Sequence, residues 1–372
     1  MEYEMIQNSV TVSISILASL SYCHFISSKL PKGKIRLLSI LPIVSLFAYL
    51  PLLFTYIFPI AFTSCFISWL ANFKLLLFAF DKGPLTTRDP PVSLFYFIVI
   101  AVFPARIKPK QENPCRQNSP NGGKSPPLPI LPLNWPTKAL LLAILVGSHG
   151  QMMENLHPFA LRFMYCGMMF LFVDVSFGAC NFILTAAIDV EVHPPSDEPY
   201  LSTSLRDFWG RRWNLMVTEM LRSMVYFPVK TTLSPVVGKK WAPLPALLAT
   251  FLVSGLAHEM VYYHTIRGSP TWEVTWFFVL HGLGLVAEVG LGALLGEKRV
   301  SRIHWAFKWA LTMGFVMPTS MWLFFPPVIR SGVVDRVVEE IMMVSNFVVG
   351  LGGFVQFQSG GESLNGSTVG VI

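Results

Sequence analysis

The chain has 372 residues, of which 53% are hydrophobic and only 13% are charged. A soluble domain usually carries about 25% charged residues, and no half of this chain is polar enough to form one, so a soluble globular protein is excluded. The net charge of +7 fits contact with anionic headgroups or with a phosphorylated substrate, although the usual excess of basic residues in cytosolic loops explains most of these residues better. The composition indicates a polytopic membrane protein.

Apolar runs long enough to cross a bilayer, which takes about 20 residues, occur along most of the chain. The predicted spans are Ile6–Ile26, Leu37–Phe58, Ile60–Phe80, Thr137–Met153, Phe159–Ile188, Leu244–Tyr263, Trp272–Leu295, Ile303–Phe325 and Val337–Phe357. Ser93–Pro104 is shorter and is expected to be re-entrant or tilted, and Trp213–Val229 is expected to lie partly in the interface. The sequence predicts an all-α protein with eight to ten transmembrane helices.

Polar breaks divide the chain into parts. The run Lys108–Pro136 is rich in proline, asparagine, glycine and serine, which cannot bury a core, so a mobile loop is predicted there. Residues 358–372 are predicted to form a disordered tail. We therefore expect an N-terminal membrane part over residues 1–130 and a C-terminal membrane part over residues 131–357 that carries the chemistry.

The segment Ser204–Val229 reads SLRDFWGRRWNLMVTEMLRSMVYFPV. Ser204 precedes Asp207 by three residues, a variant of the capping box that begins a helix. Aromatic and basic residues then interleave, at Arg206, Phe208, Trp209, Arg211, Arg212 and Trp213. This composition is typical of a helix at the membrane surface whose guanidinium groups can reach phosphate. An interfacial anchor without a catalytic part has the same composition.

A polar stripe continues along this segment. Asn214, Thr218 and Arg222 are spaced four residues apart and share one helix face. Glu219 and Arg222, three residues apart, are close enough in sequence to pair. Such a stripe on a half-apolar helix indicates either the lining of an interior cavity or a structural network between helices.

The stretch ATFLVSGLAHEMVYYHTI, Ala249–Ile266, places ionisable residues in an apolar run. Such groups are costly at membrane depth and usually face an interior cavity. Ser254 and His258 fall on one helix face, whereas Glu259 points about 100° away. The motif is not H-E-x-x-H, because the next histidine, His264, follows six residues on and lies off that face. A zinc site is therefore not expected.

A single buried imidazole without a metal partner is suited to proton transfer, since desolvation keeps it neutral and able to accept a proton. A hydrogen-bonded structural histidine is the alternative for His258. On the next predicted helix, HGLGLVAE places His281 and Glu288 seven residues apart on one face, and Gly282 and Gly284 permit the close approach of another helix. His281 and Glu288 could orient or polarise His258, or they could be purely structural.

Four stretches together carry a resemblance to a known family: Phe73–Leu85, Asp197–Val217, Gly255–Tyr263 and His281–Glu288. They look like the plant long-chain-alcohol O-fatty-acyltransferases, the jojoba-type wax ester synthases, which belong to the membrane-bound O-acyltransferase superfamily. The resemblance spans most of the chain and is weakest in Lys108–Pro136 and the tail. It implies transmembrane helices around an intramembrane catalytic chamber.

The resemblance also implies an activity: acyl transfer from a long-chain acyl-CoA to the hydroxyl of a long-chain fatty alcohol, which forms a wax ester. It assigns His258 as the catalytic histidine, acting as general base, and Asn214 as its companion. FWGRRWN, Phe208–Asn214, is similar to the F-Y-x-D-W-W-N box of sterol and diacylglycerol acyltransferases. It departs from that box at Arg211 and Arg212, so substrate preference does not transfer directly.

Further site residues are expected around this pair. The arginines Arg206, Arg211 and Arg212 are predicted to hold the CoA phosphates, and Trp209 and Trp213 are predicted to contact substrate beside them. Four residues are predicted to support the histidine: Ser254, Glu259, His281 and Glu288. We expect no cofactor other than acyl-CoA as co-substrate, no metal and no nucleic acid. The expected partners are membrane lipids and a lipid alcohol, in the endoplasmic reticulum membrane, with the oligomeric state left open.

Two other functions are compatible with these residues. A sterol or diacylglycerol could replace the long-chain alcohol as acceptor, because nothing in the sequence fixes the acceptor pocket. A proton-coupled transporter could use His258, Glu259 and Glu288 as a path through the membrane. Transporters often contain two repeated halves, and the sequence shows no such internal symmetry.

Overall fold

The protein is helical over most of its described length. The computed structural model describes residues 2–86, 92–104, 106, 134–188, 190–296 and 302–343. The α-helices in these ranges are α1 Glu2–Phe25, α2 Lys34–Tyr49, α3 Ile57–Thr63, α4 Asn72–Ala79, α5 Leu94–Val102, α6 Trp135–Gly147, α7 His149–Asn155, α8 Pro158–Ile188, α9 Leu205–Asp207, α10 Leu215–Leu221, α11 Phe227–Val237, α12 Pro243–Ile266, α13 Glu273–Leu295, α14 Trp305–Thr319 and α15 Pro326–Arg330. Residues 333–343 are helical as well. Wider π turns over Ser64–Ala71 and Arg222–Tyr226 join α3 to α4 and α10 to α11.

Seven helices in the described residues are long and apolar enough to cross a membrane. They are Tyr3–Lys29, Lys34–Leu53, Ile57–Ala79, Pro158–Ile188, Pro243–Ile266, Glu273–Leu295 and Trp305–Arg330. The prediction of an integral all-α membrane protein is therefore confirmed. The predicted tail at residues 358–372, most of the predicted loop Lys108–Pro136 and the later part of the predicted span Val337–Phe357 lie outside the described residues.

Two predicted spans are interrupted. Thr137–Met153 was expected to be one helix, but α6 ends at Gly147 and α7 begins at His149, because Ser148 leaves the helical conformation with φ −95° and ψ 2°. Leu37–Phe58 is broken where Phe54 and Tyr56 adopt extended backbone before α3 begins. Each interruption leaves backbone groups without intrahelical partners, and such groups require partners from elsewhere in the protein.

Side chains from the C-terminal half satisfy the backbone groups at this second interruption. Arg267 donates to the carbonyl oxygens of Pro51 and Phe54, at 3.0 Å each. The carboxylate of Glu340 accepts from the first two amides of α3, Ile57 N at 2.6 Å and Phe58 N at 2.7 Å. A carboxylate at a helix N-terminus is favourable because it also complements the helix dipole. These bonds fix α3 to the C-terminal part of the chain.

A buried lysine satisfies the backbone at the end of α5. Lys74 is 1% exposed, and its Nζ donates to the carbonyl oxygens of Ile100 at 2.7 Å, Ala101 at 3.3 Å and Phe103 at 2.6 Å. The last carbonyls of a helix lack intrahelical donors, so one ammonium group with three hydrogens can serve them together. The short helix predicted at Ser93–Pro104 therefore ends inside the protein, against α4.

Helices α12 and α13 form the most extensive packed pair in the described residues. Gly255 allows their close approach, because a Cβ at this position would lie only 3.0 Å from Thr275 Cα. The turn between the two helices is capped by Glu259, whose carboxylate accepts from Trp272 N at 3.1 Å and from Thr275 Oγ1 at 3.0 Å. The pair is thereby fixed in register.

The segment after residue 203 begins as predicted. Ser204 Oγ accepts from Asp207 N at 2.9 Å, which confirms the predicted cap. Glu288 on α13 supplies a second cap, since its carboxylate accepts from Leu205 N at 2.6 Å and from Arg206 N at 3.3 Å. A π turn over Phe208–Arg212 follows. Both caps fix the place where this segment packs on α13.

Candidate active site

A central cavity of about 1520 Å³ lies between α3, α8, α10, α12, α13 and α14. Phe163 and Ile183, twenty residues apart on α8, both line the cavity. Twenty residues of helix extend about 30 Å, so the cavity is about as long as the hydrocarbon core of a bilayer is thick. Most of its wall is aromatic or aliphatic. Its polar members include Arg206, Asn214, Thr218, Arg222, Tyr226, Lys230, Ser254, His258 and Tyr262. The cavity has room for long hydrocarbon chains beside a few polar groups.

His258 lies in this cavity wall, in the second half of α12, and is half-buried. Its Nδ1 donates to the carbonyl oxygen of Ser254 at 2.8 Å. Because a carbonyl oxygen can only accept, Nδ1 carries the hydrogen, and Nε2 of the neutral ring is left as an acceptor. Phe278 stacks on the imidazole at 4.3 Å and Trp69 contacts it edge-on at 4.6 Å. The ring is therefore held in one orientation with one nitrogen able to accept a proton.

Asn214 lines the same cavity at the start of α10. Its backbone is left-handed, with φ +38°, a conformation that asparagine adopts more readily than most residues. Its Oδ1 accepts from Val217 N at 3.4 Å and caps the helix. The amide Nδ2 has no hydrogen-bond partner within the described ranges, so its two hydrogens are free to donate to a molecule in the cavity.

The polar stripe predicted from Asn214 through Arg222 does face the cavity, and it is longer than predicted. Tyr226 and Lys230 continue it at the same four-residue spacing, over about 24 Å of helix from Asn214 to Lys230. Extending the period by two steps would have found both residues from the sequence.

The pair of Glu219 with Arg222 that the spacing permits does not form. Glu219 instead binds Arg106, whose Nε donates to its Oε1 at 2.6 Å. Arg106 belongs to the segment after α5, which no sequence pattern links to α10. Arg222 has no ion-pair partner among the residues that the structure describes, and its guanidinium lies near Gly210 beside the cavity.

The three arginines predicted to bind phosphate occupy different surroundings. Arg206 is exposed and lines the cavity, whereas Arg211 is exposed and does not line it. Arg212 binds Asp207, with Nε 2.8 Å from Oδ2, and donates to the carbonyl oxygen of Asp197 at 3.1 Å. Of the three, the structure places only Arg206 at the cavity.

His281 supports the wall of the cavity without lining it. This fully buried ring accepts at Nδ1 from Trp209 Nε1 at 3.0 Å, and its Nε2 lies 2.9 Å from Thr319 Oγ1. Because Nδ1 accepts, the neutral ring carries its hydrogen on Nε2 and donates it to the threonine. Trp209 lines the cavity, as does Trp213, which stacks on Phe208. His281 thus orients one tryptophan of the wall.

Neither of the two predicted carboxylates lines the cavity. Glu259 caps α13 and Glu288 caps the segment at Leu205, as described above. The carboxylate of Glu259 accepts from one backbone amide and the Thr275 hydroxyl, and that of Glu288 accepts from two backbone amides. The structure therefore does not align the two carboxylates with His258 as a path across the membrane. Ser254, by contrast, lines the cavity and orients the imidazole through its carbonyl oxygen.

Comparison with known proteins defines the class of this site. Residues 192–280, which contain both Asn214 and His258, match the membrane bound O-acyl transferase family. Together with the apolar helices described above and the full-length relatives reported next, this match makes the protein an integral-membrane O-acyltransferase.

The particular family follows from full-length relatives. The chain is 40% identical to "Probable long-chain-alcohol O-fatty-acyltransferase 3" of Arabidopsis thaliana, over 93% of this chain and 96% of that protein. It is 38% identical to the "Long-chain-alcohol O-fatty-acyltransferase" of Simmondsia chinensis, over 90% of this chain and 94% of the relative. The chain belongs to the long-chain-alcohol O-fatty-acyltransferase family, which confirms the resemblance found in its sequence.

Proposed function

We propose that the protein transfers the acyl group of a long-chain acyl-CoA to the hydroxyl of a long-chain fatty alcohol and so forms a wax ester. The observation that carries this proposal is the presence of two side chains in one apolar cavity. The imidazole of His258 is fixed through Nδ1, which leaves Nε2 as an acceptor, and the amide Nδ2 of Asn214 has no partner among the described residues. The names of the relatives support the alcohol as acceptor. Endoplasmic reticulum is the expected membrane, which cell fractionation with a marker enzyme tests.

The proposed reaction is a direct attack of the alcohol on the thioester. Nε2 of His258 takes the hydroxyl proton as the oxygen bonds to the acyl carbon, a general-base contribution of about 10²–10⁴ in rate. The amide of Asn214 donates to the oxyanion that develops on the carbonyl oxygen. The carbon–sulfur bond then breaks, and the proton on His258 passes to the CoA thiolate.

The polar stripe on α10 and α11 suits the CoA part of the donor. Arg222 and Lys230 lie about 12 Å and 24 Å along the helix from Asn214, so positive charge is available at a distance from the reaction centre, where CoA carries its phosphates. Next to Lys230 is a second pocket of about 410 Å³, lined also by Thr231, Ser234 and Lys239. We assign phosphate contacts to Arg222, Lys230 and Arg206 rather than to Arg211 and Arg212.

Substitutions at the two central residues test the reaction. His258→Ala and Asn214→Ala, in microsomes given labelled acyl-CoA and fatty alcohol, should each lower ester formation by about 10²-fold or more. Leu256→Ala is a matched control, because Leu256 lies on the same helix, is 45% exposed and does not line the cavity. Near-normal ester formation by His258→Ala at equal expression would remove the imidazole from the mechanism.

The donor site and the acceptor have separate tests. Arg222→Gln and Lys230→Gln should raise the KM for acyl-CoA with little change in kcat, because they bind a remote part of the substrate, whereas Arg211→Gln should leave both unchanged. An unaltered KM in the first two variants would contradict the assignment.

A panel of fatty alcohols, sterol and diacylglycerol offered to one preparation identifies the acceptor, and preference for sterol or diacylglycerol would overturn the wax ester proposal.

A further inference from the structure

A buried charge cluster lies beside the cavity and outside the proposed mechanism. Lys138 on α6 and Asp174 on α8 are 5% and 6% exposed. Lys138 Nζ is 2.9 Å from Asp174 Oδ2 and 3.1 Å from Glu198 Oε1. Glu198 belongs to the loop before α9, so one ammonium group joins two helices to that loop.

Burying this cluster costs free energy. It holds two carboxyl groups for one ammonium, and the second oxygen of each, Asp174 Oδ1 and Glu198 Oε2, is buried without a hydrogen-bond partner in the described part of the chain. Buried ion pairs often contribute little net stability because desolvation offsets the attraction. Glu198 adds backbone strain, since its φ is +43° and left-handed backbone is unfavourable for glutamate. Stability alone therefore accounts poorly for the cluster.

The loop that Glu198 belongs to is bonded to both sides of Asn214. Asp197 N donates to Arg212 O at 2.8 Å, and Leu215 N donates to Pro195 O at 2.8 Å. The Arg212 guanidinium in turn donates to the carbonyl oxygen of Glu198 at 3.3 Å. Arg212 and Leu215 flank Asn214 closely in sequence, so the loop at residues 195–198 fixes the backbone that carries the cavity amide.

We propose that Lys138, Asp174 and Glu198 are positioning residues that hold Asn214 in the cavity wall through the loop at residues 195–198. The proposal rests on the function proposed above for Asn214. None of the three touches the reacting atoms; they act by anchoring the loop to α6 and α8. Misplacing a reactive group by about 1 Å can lower a rate by about 10²-fold, so loss of this anchor should appear in kcat.

The first test compares kinetics. Glu198→Ala should lower kcat about 10- to 100-fold and leave the KM for acyl-CoA within about twofold, because substrate contacts remain. Lys138→Arg keeps the positive charge and should retain most activity. Lys32→Met is the control, since Lys32 is 73% exposed and pairs with Asp81 away from the cavity. Full activity of Glu198→Ala would overturn the proposal. If the alanine variant fails to fold, the same kinetics are measured on the milder variant Glu198→Gln, whose full activity would overturn the proposal in the same way.

A double variant separates positioning from general structural damage. If Glu198 acts through Asn214, the variant Asn214→Ala with Glu198→Ala should be no less active than Asn214→Ala alone. Losses that multiply would overturn the positioning proposal while leaving the role of Asn214 intact. Normal activity of Asn214→Ala would instead overturn both the role of Asn214 and the positioning built on it.

A third measurement does not depend on catalysis. Hydrogen exchange in detergent should be faster at the amides of Asp197 and Leu215 in Glu198→Ala than in the unaltered protein, and unchanged in α12. Unchanged exchange at both amides would show that the loop is held without the cluster and would overturn the proposal. If the unaltered protein forms no ester, the function proposed above fails, and the exchange result still decides whether the cluster positions residues 212–215.

Discussion

Gly255 is the position where one added methyl group should most directly disturb the site. It faces α13 from α12, one helical turn before His258. A Cβ on Gly255 would lie 3.0 Å from Thr275 Cα, 3.2 Å from Thr275 O and 3.3 Å from Phe278 Cβ. Two of these three atoms are backbone, so a side-chain rotation cannot relieve the contact. The variant Gly255→Ala must therefore separate the two helices.

The size of the effect follows from these distances. Carbon atoms prefer separations of about 3.5–4.0 Å, so α13 must move by roughly 0.5–1 Å. Overpacking of this kind lowers the free energy of unfolding by about 1–3 kcal/mol. Replacing glycine by alanine inside a helix raises it by about 1 kcal/mol. Phe278, which stacks on His258 at 4.3 Å, must move as well, and displacement of the imidazole should lower kcat about 10- to 100-fold.

A matched substitution isolates the overpacking contribution. Gly290 lies on α13, and no atom of the described residues outside its own helix turn lies within 4 Å of the place that a Cβ would take. Gly290→Ala therefore has the gain in helix propensity without the clash. Ester formation and thermal unfolding in detergent should be measured for both variants at equal expression. We expect Gly255→Ala to unfold at a lower temperature and turn over more slowly than Gly290→Ala. Equal stability and activity of the two would refute the argument that the α12–α13 contact fixes the imidazole.

Three further substitutions test the caps described above. Lys74→Met leaves three carbonyl oxygens without their donor and should destabilise the protein by about 3 kcal/mol or more. Lys82→Met, at an exposed lysine, is the control and should be neutral. Equal melting temperatures of the two variants would contradict this. Glu340→Gln keeps one of two acceptor oxygens at the start of α3 and should cost about 1–2 kcal/mol, again measured by melting. Glu288→Ala should lower both the melting temperature and kcat, since it releases the segment that carries Trp209, and an unchanged kcat would contradict that link.

The bounds of α12, which carries His258, and of α13 could be predicted closely from composition. Leu244–Tyr263 was expected and Pro243–Ile266 is found, and Trp272–Leu295 was expected where Glu273–Leu295 is found. Long apolar runs bounded by polar residues define such helices with little ambiguity. The cap at Ser204 could be predicted for a similar reason, because it depends on residues three apart in sequence.

Contacts that depend on tertiary structure could not be predicted. Arg212 was expected to face phosphate, but the π turn over Phe208–Arg212 brings together residues five apart and gives it Asp207 as a partner. Glu219 binds Arg106, more than 100 residues earlier in the chain. Glu288 lies two turns from His281 and caps a separate segment. In each case the partner comes from a π turn or from a distant part of the chain, and spacing along one helix carries no information about either.

The left-handed backbone at Asn214 restricts which residues can replace it. Most side chains are strained at φ +38°, and glycine and aspartate are among the few that tolerate it. Glycine has no side chain and a carboxylate has no hydrogen to give, so each would preserve the chain path while abolishing the donor. A single position thus has to satisfy a conformational requirement and a chemical one at once, and asparagine is a residue that meets both.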